Sequence, residues 1–134
     1  MPHLVVLYTG HLDAETDMTA LCRSLADAML TVRDEQDQQV FPTGGVRVLA
    51  YPAAYFAVAD GQRDYAFVYL NLRMGRGRSD AVKKRAGEMV LAAAKQHFEP
   101  IFAKRHIGLT LQIDEGQEVF DAKYSNIHPL FRKS

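Results

Sequence analysis

The spacing of apolar residues changes several times along the 134-residue chain, and each change marks an element. His3 to Tyr8 is a short, nearly continuous apolar run closed by Gly10, the pattern of a strand buried on both faces. Met18, Leu21, Cys22, Leu25 and Ala28 then recur at helical spacing, which predicts a helix over about 14–31 with Asp13 as its cap. A polar stretch, 33–39, leads to Phe41-Pro42-Thr43-Gly44-Gly45, a turn or loop. Val46 to Tyr51 alternates and predicts a second strand. The segment 52–63 is irregular, with a tight turn at Asp60-Gly61.

Tyr65 to Met74 carries the strongest strand signal in the chain, and a glycine-rich turn, 75–79, follows it. Ser79 has the chemistry of a helix cap, and Val82, Ala86, Met89, Val90, Ala93 and Ile101 mark the apolar face of a second long helix. Pro100 is predicted to kink that helix or end it early, because it has no amide hydrogen and crowds the preceding turn. Ile107 to Ile113 alternates as a fourth strand. The tail, 115–134, carries Phe120, Tyr124, Ile127, Leu130 and Phe131, and is expected to pack on its own domain or on a neighbouring subunit.

Strand–helix–strand therefore occurs twice. The expected architecture is α+β: a duplicated β-α-β unit forming a four-stranded sheet with two helices on one face. One domain spans 1–134, with pseudo-repeats over about 2–60 and 64–114 and an interface tail over 115–134. Ferredoxin-like modules share this β-α-β-β-α-β order, so the order alone also admits a small-molecule-binding regulatory module without catalysis.

The 48% hydrophobic and 24% charged content is that of a soluble globular protein. Sixteen basic side chains balance sixteen acidic ones, which argues against a nucleic-acid or membrane-surface partner and leaves self-association unopposed by charge. No apolar run reaches the length of a membrane span, and Gly10, His11 and Asp13 interrupt any secretory signal, so the expected compartment is the cytoplasm. Cys22, the single cysteine, excludes an internal disulfide and a multi-thiolate metal site, and reads as a half-buried thiol.

Three residues carry candidate chemistry. Removal of the initiator methionine is normal before proline, and it would turn the Pro2 nitrogen into a secondary amine. Ordinary α-amino groups titrate near pKa ~8, and desolvation or nearby cations bring that toward neutrality. Such a base can take a proton from one atom and return it to another. Arg47 projects from the start of a strand behind two glycines, which let the backbone approach a ligand closely. Arg78 precedes the cap of the second helix, where free amides and a forked cation suit a carboxylate. The turn lacks the lysine–serine/threonine ending of a phosphate loop.

The blocks Pro2-His3, Gly45-Val46-Arg47, Ala59-Asp60-Gly61-Gln62, Asp64-Tyr65-Ala66-Phe67-Val68, Gly75 through Ser79, Ala86-Gly87-Glu88-Met89 and Asn126 through Phe131 together resemble the 5-carboxymethyl-2-hydroxymuconate Δ-isomerase family of the tautomerase superfamily. The resemblance covers nearly the whole chain and is weakest over 10–43. It implies a homotrimeric, cofactor-independent, metal-free isomerase of aromatic catabolism acting on an unsaturated di- or tricarboxylic acid of the muconate type, with 5-carboxymethyl-2-hydroxymuconate the expected one. It implies Pro2 as the proton carrier and Arg47 and Arg78 as carboxylate ligands that polarise the 2-oxo group. Leu49 stands where the family pattern carries a basic residue, and Arg76 is an extra arginine between the glycines; both bear on substrate choice.

Other candidates read more plainly. His3 alternates to the face opposite Pro2 and reads as structural. His11, His97, His106 and His128 are scattered, without acids at metal-ligand spacing. Asp34, Glu35 and Asp37 form a solvated acidic run. Tyr51, Tyr55 and Phe56 are candidates for a pocket wall, the core or an interface, and Asn126 and His128 for a subunit contact.

Overall fold

A computed structural model describes residues 2–131. The elements are β1 (His3–Thr9), α1 (Met18–Leu30), β2 (Arg47–Ala53), β3 (Ala66–Met74), α2 (Asp80–Phe102) and β4 (Ile107–Glu115), with short 3-10 turns at Gly10–Ala14, Thr43–Gly45 and His128–Phe131. They form one four-stranded sheet in the order β2-β1-β3-β4. β1 runs parallel to β2, β3 runs parallel to β4, and the central pair, β1 and β3, is antiparallel. Each parallel pair is joined through a helix, as such a connection requires.

Alternation decides which face is the core. Leu4, Val6 and Tyr8 of β1 and Val68, Leu70, Leu72 and Met74 of β3 are buried against Leu21, Leu25 and Met29 of α1 and Ala86, Val90, Ala94 and Phe98 of α2. Full burial of each such aliphatic side chain contributes about 1.5–3 kcal/mol. Both helices thus cover one face of the sheet, as the two β-α-β patterns predict. The other face is open. Leu7, Leu49, Tyr51 and Phe67 lie on it and are 37–50% exposed, so β1 is covered on one side only, contrary to its unbroken apolar run.

The start of α1 also differs from expectation. Asp17, not Asp13, caps the helix by accepting the Ala20 amide at 3.1 Å. Asp13 lies in the preceding 3-10 turn, which buries Leu12, and its carboxylate accepts the Tyr8 hydroxyl at 2.6 Å. That hydrogen bond and the burial of the ring raise the Tyr8 pKa to about 12, burial being the larger cause.

Ser79 caps α2 as read from sequence, accepting the Val82 amide at 3.2 Å. Pro100 does not end α2 early. The helix continues to Phe102, and the missing proline amide falls in the last turn, where it removes a single bond. The polar stretch 33–39 folds back on itself through an Arg33–Gln39 bridge, with the Asp34 carboxylate accepting the Gln36 and Gln38 amides. The tail is largely exposed: Val119, Phe120, Tyr124 and Leu130 find little cover on their own chain.

His97 links this packing to pH. Its Nε2 lies 2.7 Å from Thr16 Oγ1, and its ring stands edge-on to Phe98 with centroids 5.0 Å apart. Burial lowers its pKa from the ordinary 6.5, with Asp17 opposing in part. The unfolded chain therefore takes up this proton first as pH falls, so the stability from neutral His97 is complete above about pH 6.5 and is lost below it. The thermal midpoint should fall between pH 7 and pH 5, and calorimetry should find a shallower fall in His97→Gln.

Candidate active site

The site lies where the N-terminal ends of β1 and β2 meet the C-terminal end of β3. Pro2 immediately precedes β1 and is buried. His3, the next residue, pairs with Arg47 of β2 in the parallel register and with Arg73 of β3 in the antiparallel register. Pro2 thus stands one residue from Arg47 on one side and one residue from the Met74-Gly75 turn on the other.

Each arginine is placed by its turn. The Thr43–Gly45 turn, in which the Gly45 amide donates to the Pro42 carbonyl at 3.0 Å, delivers the chain into β2 at Arg47. A Cβ on Gly44 would stand 2.8 Å from the His128 Cα, so the tail packs directly on this turn. Gly44→Ala is expected to push the tail away, seen as faster amide exchange over 125–131, while the thermal midpoint moves little because those residues lie outside the core. His128 therefore packs on its own chain here rather than only marking a subunit contact.

Arg78 sits in the turn after β3, where Gly77 takes φ +110°, a conformation that favours glycine. Its guanidinium donates to the Gly75 carbonyl at 3.1 Å and to the Val40 carbonyl at 3.4 Å, and lies 5.1 Å from the centroid of the Phe41 ring. Burial lowers its pKa, with Glu115 opposing. Arg78 thus ties the β3–α2 turn to the segment leading into β2. A fork with five donors keeps further N–H groups after these two bonds.

A cavity of about 1210 Å³ opens beside this end of the sheet. His3, Arg47 and Arg73 line it together with Cys22 and Arg23 of α1 and Lys123 of the tail. Pro2 and Arg78 are not among its lining residues. Pro2 is buried next to His3, and Arg78 is bonded to Gly75, which does line the cavity. Tyr51, Tyr55 and Phe56 lie elsewhere, and Phe56 stacks on His11 with centroids 4.9 Å apart.

Sequence reading placed Pro2, Arg47 and Arg78 as site residues but passed over Arg73. The signal for it was available, since alternation sets Arg73 opposite Leu72 and Met74 at the end of a strong strand. Among the described residues, no three histidine, cysteine, aspartate or glutamate side chains are grouped to hold a metal ion.

The chain is similar over nearly its whole length to known proteins. A family model for 5-carboxymethyl-2-hydroxymuconate isomerase matches residues 2–131. The 5-carboxymethyl-2-hydroxymuconate Delta-isomerase of Escherichia coli is 30% identical over 132 residues, covering 98% of this chain and all of the relative. A crystal structure of a 5-carboxymethyl-2-hydroxymuconate delta-isomerase superposes with TM-score 0.96 at 59% identity, over 100% of this chain and 95% of the other. The isomerase from Deinococcus radiodurans R1 superposes with TM-score 0.87 at 38% identity, over 98% and 95%. At 21% identity, a fused 4-OT trimer shares the fold alone, with TM-score 0.56 over 90% of this chain and 93% of the other.

The sheet, its two helices and these likenesses define an isomerase of tautomerase fold. Within that class the chain belongs to the 5-carboxymethyl-2-hydroxymuconate isomerase family.

Proposed function

We propose that this isomerase moves a proton along an unsaturated 2-hydroxy acid, 5-carboxymethyl-2-hydroxymuconate, with the Pro2 nitrogen as the base. The observation that carries the reading is the convergence, at one end of the sheet, of Pro2, Arg47 and the turn that holds Arg78. Where Met1 has been removed, the Pro2 nitrogen is a secondary amine. Burial and neighbouring cations disfavour its charged form and keep it available as a base near neutral pH.

The amine takes the proton of the 2-hydroxyl group, and the electron pair spreads over the diene as a dienolate. Return of that proton to carbon 5 leaves a 2-oxo-3-ene, so atoms and electrons balance without a cofactor. Arg47 and Arg78 hold carboxylates and stabilise the charge that develops on the 2-oxygen. Two cations aimed at that charge lower the barrier only if they are in place beforehand, and the hydrogen bonds of Arg78 supply that order.

The assembly proposed is a homotrimer. The half-apolar open face of the sheet and the exposed apolar tail support it, as does the trimeric state named for the fused 4-OT protein. The two β-α-β halves, each a parallel pair around a helix, are read as copies of one unit within a single domain. Among the described residues no helix is long and apolar enough to cross a membrane. The compartment proposed, on the reading of this enzyme as one of aromatic-acid catabolism, is the cytoplasm.

The test is to add 5-carboxymethyl-2-hydroxymuconate to protein whose N-terminus has been verified by mass spectrometry and to follow the ultraviolet spectrum. Rapid ketonisation, with deuterium from D2O at carbon 5, is expected. An uncatalysed rate from protein that begins at Pro2 would rule out this acid as the substrate.

A further inference from the structure

Both strand neighbours of His3 are arginines, Arg47 on β2 and Arg73 on β3. One residue along, Leu4 pairs with Val48 and Leu72 on the helix-covered side, so His3, Arg47 and Arg73 share the open face. Neighbouring strands lie about 4.8 Å apart, which separates the Cα atoms of Arg47 and Arg73 by roughly 10 Å with His3 between them. At that spacing Arg73 can reach a branch of a ligand that Arg47 holds by another carboxylate, and all three residues line the same cavity.

Arg73 forms no ion pair with the acids nearest to it. Asp114 of β4 continues the row beside Arg73, but its carboxylate accepts from the Asn71 amide at 2.7 Å and forms no ion pair with Arg73. Asp121, one of the acids lining the cavity, is held by Lys123 at 2.8 Å. Arg73 is exposed and makes no hydrogen bond or ion pair among the described residues. The positive field is felt at His3, whose pKa is lowered by burial first and then by Arg47 and Arg73.

We infer that Arg73 is a further substrate-binding residue, which grips a third carboxylate and makes the site selective for tricarboxylic over dicarboxylic acids. This inference rests on the reading of the Pro2 end of the sheet as the substrate site. It assigns Arg47 and Arg78 to the carboxylates nearest the reacting carbons and gives Arg73 the branch of a carboxymethyl-type acid. Arg73 lies outside the core of its own chain, so engaging that branch leaves the core packing in place.

The test uses unreactive probes, so that it does not depend on turnover. Calorimetry with propane-1,2,3-tricarboxylate and with glutarate should show Arg73→Gln weakening the tricarboxylate about 10- to 100-fold while leaving the dicarboxylate unchanged. Arg73→Lys should recover part of the loss, since it keeps the charge without the fork. In turnover, the KM for a tricarboxylic substrate should rise with kcat unaltered. Equal weakening of both probes, or no weakening of either, would overturn the assignment. Selective weakening of the tricarboxylate in Arg73→Gln, in a protein that leaves 5-carboxymethyl-2-hydroxymuconate unconverted, would uphold Arg73 and remove the proposed reaction instead.

Discussion

Pro2→Ala is expected to lower kcat by about 100-fold, near the low end of the 10²–10⁴ range for a positioned general base. The loss is not total because alanine after methionine removal still presents an N-terminal amine at that point in the chain. That amine is primary, less constrained in direction, and titrates closer to an ordinary α-amino group. A stronger effect should come from extending the chain by one residue ahead of Pro2. The proline ring then stays, but its nitrogen becomes an amide with no basicity, and the loss should reach about 10⁴-fold. The core that fixes β1 is formed by Leu4, Val6 and Tyr8, so both variants should keep the wild-type melting curve and sedimentation coefficient. An extended protein with full turnover would show that the base lies elsewhere.

The second large effect is expected at Arg78. Its guanidinium donates to the Gly75 and Val40 carbonyls and covers the Phe41 ring, so Arg78→Ala removes a clamp as well as a charge. Loss of a preorganised donor to a developing oxyanion costs about 10²–10³ in rate, and kcat/KM should fall by that order. Loss of two hydrogen bonds from a charged donor should also cost about 2 kcal/mol of stability. Arg78→Lys separates the two contributions. It restores the charge but donates from one nitrogen in place of a planar fork, so it should recover part of the substrate affinity and little of the stability. Unchanged KM and kcat in Arg78→Ala would leave Arg78 as a structural clamp alone.

The elements were readable because their periods are clean. The i, i+4 ladder Val82, Ala86, Val90, Ala94, Phe98 is buried in α2, and Ser79 caps it as its position in the turn predicts. Other features depend on contacts between distant residues, which spacing along the chain cannot show. Asp13 and Asp17 are equally good caps by type, and the choice between them was made by the Tyr8 hydroxyl, which claims Asp13 from β1. Pro100 looked like a terminator, yet its cost is small in a last turn that closes two residues later.

The site was partly readable for the same reason. Pro2, Arg47 and Arg78 stand out because each adjoins a terminus or a glycine turn. That Arg47 and Arg73 flank His3 follows only from the strand register, in which residues 3, 47 and 73 become neighbours. The hydrogen bond from Arg78 to Val40 and its contact with the Phe41 ring likewise join segments nearly forty residues apart. The apolar character of β1 on its open face is legible in HLVVLY, but one chain alone leaves that face uncovered.

The central claim is that the Pro2 nitrogen is the base, and titration of that nitrogen tests it most directly. Protein labelled with 15N-proline and verified to begin at Pro2 should show this amine titrating well below the ordinary value of about 8, at the same pH as the acidic limb of kcat/KM. A Pro2 amine that titrates at or above that value, or at a pH where kcat/KM is flat, would contradict the account.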